Sequence, residues 1–254
     1  MRNLKLLKVP VDAEPRAKSV SDLKIEVYAD GADKAGILEM YGKSFISGFT
    51  TNPTLMKKSG IQDYTAFARE VLKSITNYPI SFEVFSDEFS EMEKQAMTIN
   101  SWGPNVFVKV PITNTRKEPS YSLIERLTKK GVQLNVTAVF TLDQVRKSME
   151  ALEGTRAAII SVFAGRIADT GVDPIPLMKE SLRFVSKNPK VKLLWASPRE
   201  LLNIFQADEI GCHIITVTND LLKKLDGVGK NLEEFSLETV KMFYDDAKKA
   251  GFKI

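Results

Sequence analysis

Eight short β-branched or aromatic runs alternate with stretches of helical spacing, and this rhythm constrains the fold more than any other feature. The runs are Ile25–Ala29, Phe45–Phe49, Ile80–Val84, Val106–Val110, Val132–Val136, Ala157–Val162, Val191–Ala196 and His213–Val217. Between them the polar–apolar spacing predicts helices at Asp63–Ile75, Glu88–Ser101, Ser120–Lys129, Leu142–Leu152, Ile175–Lys187, Pro198–Gln206 and Asn219–Lys224. A last helix is expected over Ser236–Lys249, with Ser236 as N-cap and Glu238 in its first turn. Eight such units predict an α/β fold, a (β/α)8 TIM barrel. An open doubly wound sheet is the alternative, but no Gly-x-Gly-x-x-Gly follows the first run. The prolines of Val9-Pro10-Val11-Asp12 and Glu14-Pro15-Arg16 predict an irregular lead-in over residues 1–22. Residues 23–254 are then expected to form one domain, a length that suits a single barrel.

The fourth run, Asn105-Val106-Phe107-Val108-Lys109-Val110-Pro111-Ile112, is apolar on both faces except for one lysine. Strand alternation sets Phe107, Lys109 and Pro111 on one face and Val106, Val108 and Val110 on the other. A strand apolar on both faces belongs in a parallel sheet under helices. Burial there disfavours the ammonium form of a lysine, and a neutral lysine is a nucleophile toward carbonyl carbon, giving a Schiff base. The competing reading is a lysine that snorkels to water from a strand end.

Composition narrows the function classes. No apolar run approaches the roughly 20 residues of a membrane helix, and Met1 to Val20 has no apolar core of signal-peptide length. A single cysteine, Cys212, excludes an internal disulfide and fits a reducing cytoplasm. Cysteine and histidine are too few for a zinc cluster. The net charge of +4 suits small anions and is weak evidence for nucleic acid.

In a barrel of this kind, functional groups come from the C-terminal ends of the strands. Seven of the eight runs deliver a polar group at that end. They are Asp30; Thr50 and Asn52; Glu83; Lys109; Asn135 and Thr137; Ser161, followed by Phe163 and Arg166; and Ser197 and Arg199. Parity supports the set: Asn135 and Thr137 share a face, and Glu83 shares one with Ser81. Taken singly, Asp30 reads as a helix cap, Thr50 and Asn52 as turn residues, and Arg166 as a solvated loop charge. Seven such groups at one end are harder to treat as coincidence. His213, at the opposite end, and Cys212, without a cationic neighbour in sequence, read as structural.

The segments Ala29-Asp30, Thr50-Thr51-Asn52-Pro53-Thr54-Leu55, Val108-Lys109-Val110-Pro111, Leu134-Asn135-Val136-Thr137, Ser161-Val162-Phe163-Ala164-Gly165-Arg166 and Ala196-Ser197-Pro198-Arg199 resemble, in this order, the motifs of the transaldolase family. The resemblance covers roughly residues 24–225 and implies a (β/α)8 barrel with the Schiff-base lysine on the fourth strand, where Lys109 falls. It implies transfer of a dihydroxyacetone unit between ketose and aldose phosphates, with no metal or organic cofactor. The sugar phosphates implied are fructose 6-phosphate, sedoheptulose 7-phosphate, erythrose 4-phosphate and glyceraldehyde 3-phosphate. Lys109 would be the nucleophile, Glu83 the proton donor through a water held by Thr137, and Asp30 the acceptor of the C4 hydroxyl proton. Asn52 and Asn135 would bind substrate hydroxyls, with Thr50 in support. Ser161, Arg166, Ser197 and Arg199 would hold the phosphate. A homo-oligomer, ring or dimer, is also implied.

Within this resemblance, Glu83 and Phe163 favour transferases, because the fructose-6-phosphate aldolase group resembles glutamine and tyrosine at these positions. Chain length and the loop Gly165-Arg166-Ile167-Ala168-Asp169-Thr170-Gly171 are nearer the aldolase-like members. Val162 where proline is frequent, Pro198 inside Ala-Ser-x-Arg, and Thr218-Asn219-Asp220 after strand 8 are departures. They bear on acceptor preference rather than on the Schiff base. A lyase releasing free dihydroxyacetone is the alternative on the same site. A non-catalytic sugar-phosphate-binding barrel is the third reading, against which the set Asp30, Glu83 and Lys109 argues.

Overall fold

The computed structural model describes residues 19–254. Most of the lead-in expected over residues 1–22 therefore lies outside the described residues; Val20–Asp22 form a single 3-10 turn capped by the Ser19 side chain. Lys24–Lys224 make one compact unit, and Leu225–Ile254 belong to another.

The first unit is a closed parallel barrel in sequential order. Its strands are β1 (Glu26–Asp30), β2 (Ile46–Thr50), β3 (Ile80–Glu83), β4 (Val106–Pro111), β5 (Leu134–Val139), β6 (Ala158–Val162), β7 (Val191–Trp195) and β8 (Ile214–Thr218). The helices are α1 (Lys34–Tyr41), α2 (Pro53–Lys58), α3 (Tyr64–Ser74), α4 (Phe89–Asn100), α5 (Tyr121–Lys129), α6 (Leu142–Ala151), α7 (Ala164–Ala168), α8 (Ile175–Val185), α9 (Leu202–Glu209) and α10 (Asn219–Leu222). The expected TIM barrel is the observed fold.

Local chemistry explains most boundaries. Asp63 caps α3 by accepting the Ala66 N–H at 2.9 Å, and Phe67, Ala68 and Val71 form its buried face. Thr141 and Gln144 make a reciprocal capping box on α6. The fifth strand starts later than Val132 because that residue closes α5. Gly131 is left-handed at φ 75, and the Val132 and Gly131 N–H groups bond to Leu127 and Thr128 carbonyls, a Schellman ending. α9 begins later than Pro198 because the Asn203 side chain takes the N–H groups of Arg199 and Glu200, at 2.8 and 3.2 Å. α1, α2 and α7 were not among the expected helices.

Inside the barrel, Tyr28, Ile159, Leu194, Ala196 and Ile214 form a buried cluster, with Phe107 and Phe163 packed against it. The Tyr28 ring crosses so close to β2 that a Cβ on Gly48 would lie 2.5 Å from it, so β2 needs a glycine there. Between strands and helices, Val106, Val108 and Val110 are fully buried, as the alternation on β4 requires. Asp208 ties the chain entering β1 to α9, accepting the Lys24 and Ile25 N–H groups at 2.7 and 2.9 Å.

In the second unit, α11 spans Leu232–Ala250. Its N-cap is Asn231, whose side chain accepts the Glu233 and Glu234 N–H groups, and Gly251 ends it at φ 69. The expected cap Ser236 therefore lies within the helix: Asn231 supplies an earlier cap, followed by two acidic residues that favour a helix start.

Candidate active site

From β1 to β5 the register brings the candidate residues to matching heights. Asp30 is the register partner of Thr50, Thr50 of Ser81, Glu83 of Lys109, Lys109 of Asn135 and Pro111 of Thr137. The side chains of this inner set converge at the C-terminal end of the barrel.

Lys109 is 6% exposed. Its Nζ lies 3.0 Å from Glu83 Oε2 and donates to the Thr51 carbonyl at 2.9 Å. A charge so placed is tolerated because the Glu83 carboxylate pairs with it and the Thr51 carbonyl accepts a hydrogen bond from it.

Asp30 accepts a hydrogen bond from Thr50 Oγ1 at 2.8 Å, and Asn52 Nδ2 approaches its other oxygen at 3.5 Å. Thr50 has one hydroxyl proton, which Asp30 takes. The 2.5 Å contact between Thr50 and Thr216 hydroxyls is then donated by Thr216. Desolvation raises the Asp30 carboxyl above the usual carboxylate range, against the opposing pull of Lys109 and of the Thr50 hydrogen bond. Asn52 serves two neighbours at once. Its Oδ1 caps α2 on the Leu55 N–H at 2.9 Å, with Pro53 at the first helical position, while its amide turns toward Asp30.

Asn135 is fully buried, and both ends of its amide are engaged. Nδ2 donates to Ser81 Oγ at 3.0 Å, and Oδ1 accepts from Ser161 Oγ at 2.6 Å. Ser161 thus joins a polar belt across β3, β5 and β6 rather than the arginines. Thr137 Oγ1 is buried with no hydrogen-bond partner among the described residues.

A third group gathers at α7. The Arg166 guanidinium lies 5.5 Å from the Phe163 ring centroid, and no carboxylate pairs with it among the described residues. Phe163 also meets Phe140 at 5.7 Å. Arg199 is engaged elsewhere: its Nε reaches Asp169 Oδ1 at 2.9 Å and its Nη2 reaches Oδ2. Ser197 has φ 61, and a Cβ on Gly165 would lie only 1.5 Å from the Ser197 carbonyl oxygen. Glycine at 165 is what lets these two loops touch.

Four participants were missed: Thr51, Ser81, Thr216 and Phe140. Ser81 and Thr216 were accessible from strand parity with Glu83 and with Thr218. Phe140 was not, because a bulge at Ala138, φ 59, resets the β5–β6 register from Val136↔Ile160 to Val139↔Val162. His213 and Cys212 stand apart from this site as expected. His213 Nδ1 accepts the Leu193 N–H at 3.0 Å, and burial pushes the Cys212 thiol up to about 12. No grouping of three or more His, Cys, Asp or Glu side chains suited to a metal occurs among the described residues. Nor is any described helix long and apolar enough to cross a membrane.

Fold and site together define a (β/α)8 barrel with a buried lysine–carboxylate pair and a second carboxyl at its C-terminal mouth. Residues 27–254 match the family model described as transaldolase/fructose-6-phosphate aldolase. The chain is 33% identical over 202 residues to a probable transaldolase of Dehalococcoides mccartyi, covering 79% of this chain and 90% of that one. It is 30% identical over 231 residues to a probable transaldolase of Thermoanaerobacter sp. (strain X514), covering 91% and 100%. Among solved structures it is similar in fold to a dihydrodipicolinate synthase from Rhodopseudomonas palustris, with TM-score 0.57, 12% identity and coverage of 92% and 82%. A 3-hexulose-6-phosphate synthase gives TM-score 0.55 at 16% identity, covering 77% and 90%. The chain belongs to the transaldolase/fructose-6-phosphate aldolase family.

Proposed function

We propose that the protein is a transaldolase, moving a dihydroxyacetone unit from a ketose phosphate to an aldose phosphate through an imine on Lys109. The observation that carries this reading is the buried Lys109–Glu83 pair, 3.0 Å apart, with Lys109 on β4 and Glu83 at the end of β3. Lys109 Nζ attacks the ketone carbon once its proton has passed to Glu83. The protonated carboxyl then returns that proton to the departing hydroxyl through a water held by the unpartnered Thr137 hydroxyl, and water leaves as the imine forms. Asp30, kept basic by desolvation, takes the C4 hydroxyl proton as the C3–C4 bond breaks. The bond electrons pass into the protonated imine, leaving an enamine on Lys109 and releasing the first aldehyde. An acceptor aldehyde then adds by the reverse steps, and water hydrolyses the new imine. Asn52 positions the fragment hydroxyls and Asn135 sets the belt beneath them.

The guanidinium of Arg166, which pairs with no carboxylate among the described residues, is a cation offered to the substrate phosphate at the mouth formed by Phe163 and α7. Ser197 lies on the loop touching α7. Arg199, held by Asp169, supports that loop and would contact phosphate only by exchanging partners.

Phe163 favours transfer over release. Its ring carries no hydroxyl to relay a proton to the waiting enamine. Fructose 6-phosphate with erythrose 4-phosphate should therefore give sedoheptulose 7-phosphate at least about tenfold faster than fructose 6-phosphate alone gives dihydroxyacetone, a barrier difference of ~1.4 kcal/mol. Phe163→Tyr should move the balance toward release. Release as fast as transfer in the unmodified protein would establish the lyase instead.

A further inference from the structure

We infer that Tyr64 is a positioning residue that completes the β2–β3 ladder at Glu83 and so fixes the carboxylate against Lys109. This rests on the proposed role of Lys109 as the imine-forming residue.

β2 stops short of the site. Its last ladder bond to β3 is Thr51 N–H to the Ser81 carbonyl, 3.1 Å, after which the chain turns into α2 at Asn52. In a parallel ladder successive residues address opposite neighbours. On β3 the even residues address β4, with Ile80 and Val84 N–H groups donating to Asn105 and Lys109 carbonyls. The odd residues address β2. Glu83 therefore turns its N–H and its C=O toward a strand that has already ended.

One hydroxyl replaces the missing strand. Tyr64 Oη accepts the Glu83 N–H at 2.7 Å and donates to the Glu83 carbonyl at 2.9 Å. A phenol serves both groups because it is donor and acceptor at one atom. The ring is fixed by edge contacts with Phe82 and Phe85, centroids 6.3 and 5.5 Å away, and by Trp102 at 5.8 Å. Its backbone is fixed as well, since Tyr64 follows the Asp63 cap as the first residue of α3. Burial raises the phenol well above its ordinary range, so it stays protonated and serves as a fixed donor. The main chain bearing Glu83 is thus located by α3, and a carboxylate that must sit 3.0 Å from Nζ inherits that location.

The test uses the full chain as wild type, Tyr64→Phe, Glu83→Gln and the double variant. Amide hydrogen exchange at Glu83 is measured, together with the rate at which fructose 6-phosphate and cyanoborohydride add to Lys109. In Tyr64→Phe, Glu83 exchange should rise at least about tenfold while strand amides distant from it keep their protection. Adduct formation should slow at least about tenfold with half-saturation by fructose 6-phosphate within about twofold. In the Glu83→Gln background, Tyr64→Phe should cost nothing further, because the group it positions is gone. The same fold loss in both backgrounds would overturn the inference, since Tyr64 would then act by general packing. Unchanged exchange at Glu83 would also overturn it. A wild type that forms no Lys109 adduct would remove the proposed reaction instead, and Glu83 exchange alone would then decide the clamp.

Discussion

Glu83 and Lys109 are register partners on β3 and β4, and their side chains meet with Oε2 3.0 Å from Nζ. The pairing joins a proton acceptor to the amine that must lose a proton, and it does so where water has little access. Glu83→Gln keeps the shape and removes the acceptor. Steady-state kinetics should show kcat reduced by roughly 10²–10⁴, the range for a positioned acid–base group, with KM little changed. The variant should also melt at a lower temperature, because Lys109 is left buried beside a neutral amide.

Asp30 predicts an opposite change in stability. Its carboxyl titrates higher in the folded protein than in the unfolded chain, so folding binds this proton more tightly. Its stabilising contribution is full below the unfolded carboxylate value of roughly 4 and is lost as pH rises from there through the raised folded value. At neutral pH the ionised group therefore works against folding. Asp30→Asn, which can still accept from Thr50, should raise the melting temperature at pH 7. The difference from wild type should shrink as the pH falls toward 4. The same variant should lose at least about 10²-fold in kcat, since the C4 proton has no acceptor. A lower melting temperature at pH 7 would show that pairing with Lys109 outweighs desolvation.

The two arginines should separate. Arg166 stacks on Phe163 without a carboxylate partner among the described residues, whereas Arg199 is bidentate on Asp169. Arg166→Ala should raise KM for phosphorylated donors by the equivalent of about 1.5–3 kcal/mol of charge-assisted bonding. Arg199→Ala should act more weakly on KM, through the loop it tethers. Equal effects would mean that Arg199 exchanges Asp169 for phosphate during turnover.

Much of the barrel and of its inner ring was legible because strand alternation is a local property. Lys109, Glu83, Asn135 and Thr137 face inward as their parity requires, and β-branched runs mark seven of the eight strands to within a residue or two. What escaped was set by contacts between distant segments. Nothing local announces that β2 ends before Glu83 and that a tyrosine from α3 takes its place. The bulge at Ala138 that turns Phe140 toward Phe163 breaks the alternation on which the reading depended. Nor could Asp169, thirty positions earlier, be seen as the partner of Arg199. Ser236 looked like a cap because the helix period alone did not show that Asn231 begins it five positions sooner.

The imine on Lys109 has the most direct test. The protein is incubated with fructose 6-phosphate, reduced with borohydride, digested and analysed by peptide mass. The expected result is a reduced dihydroxyacetone adduct on the peptide containing Lys109, absent in Lys109→Met and absent from peptides containing Lys57 and Lys223. Labelling at those surface lysines instead, or no adduct with any ketose phosphate, would contradict the assignment of Lys109 as the nucleophile.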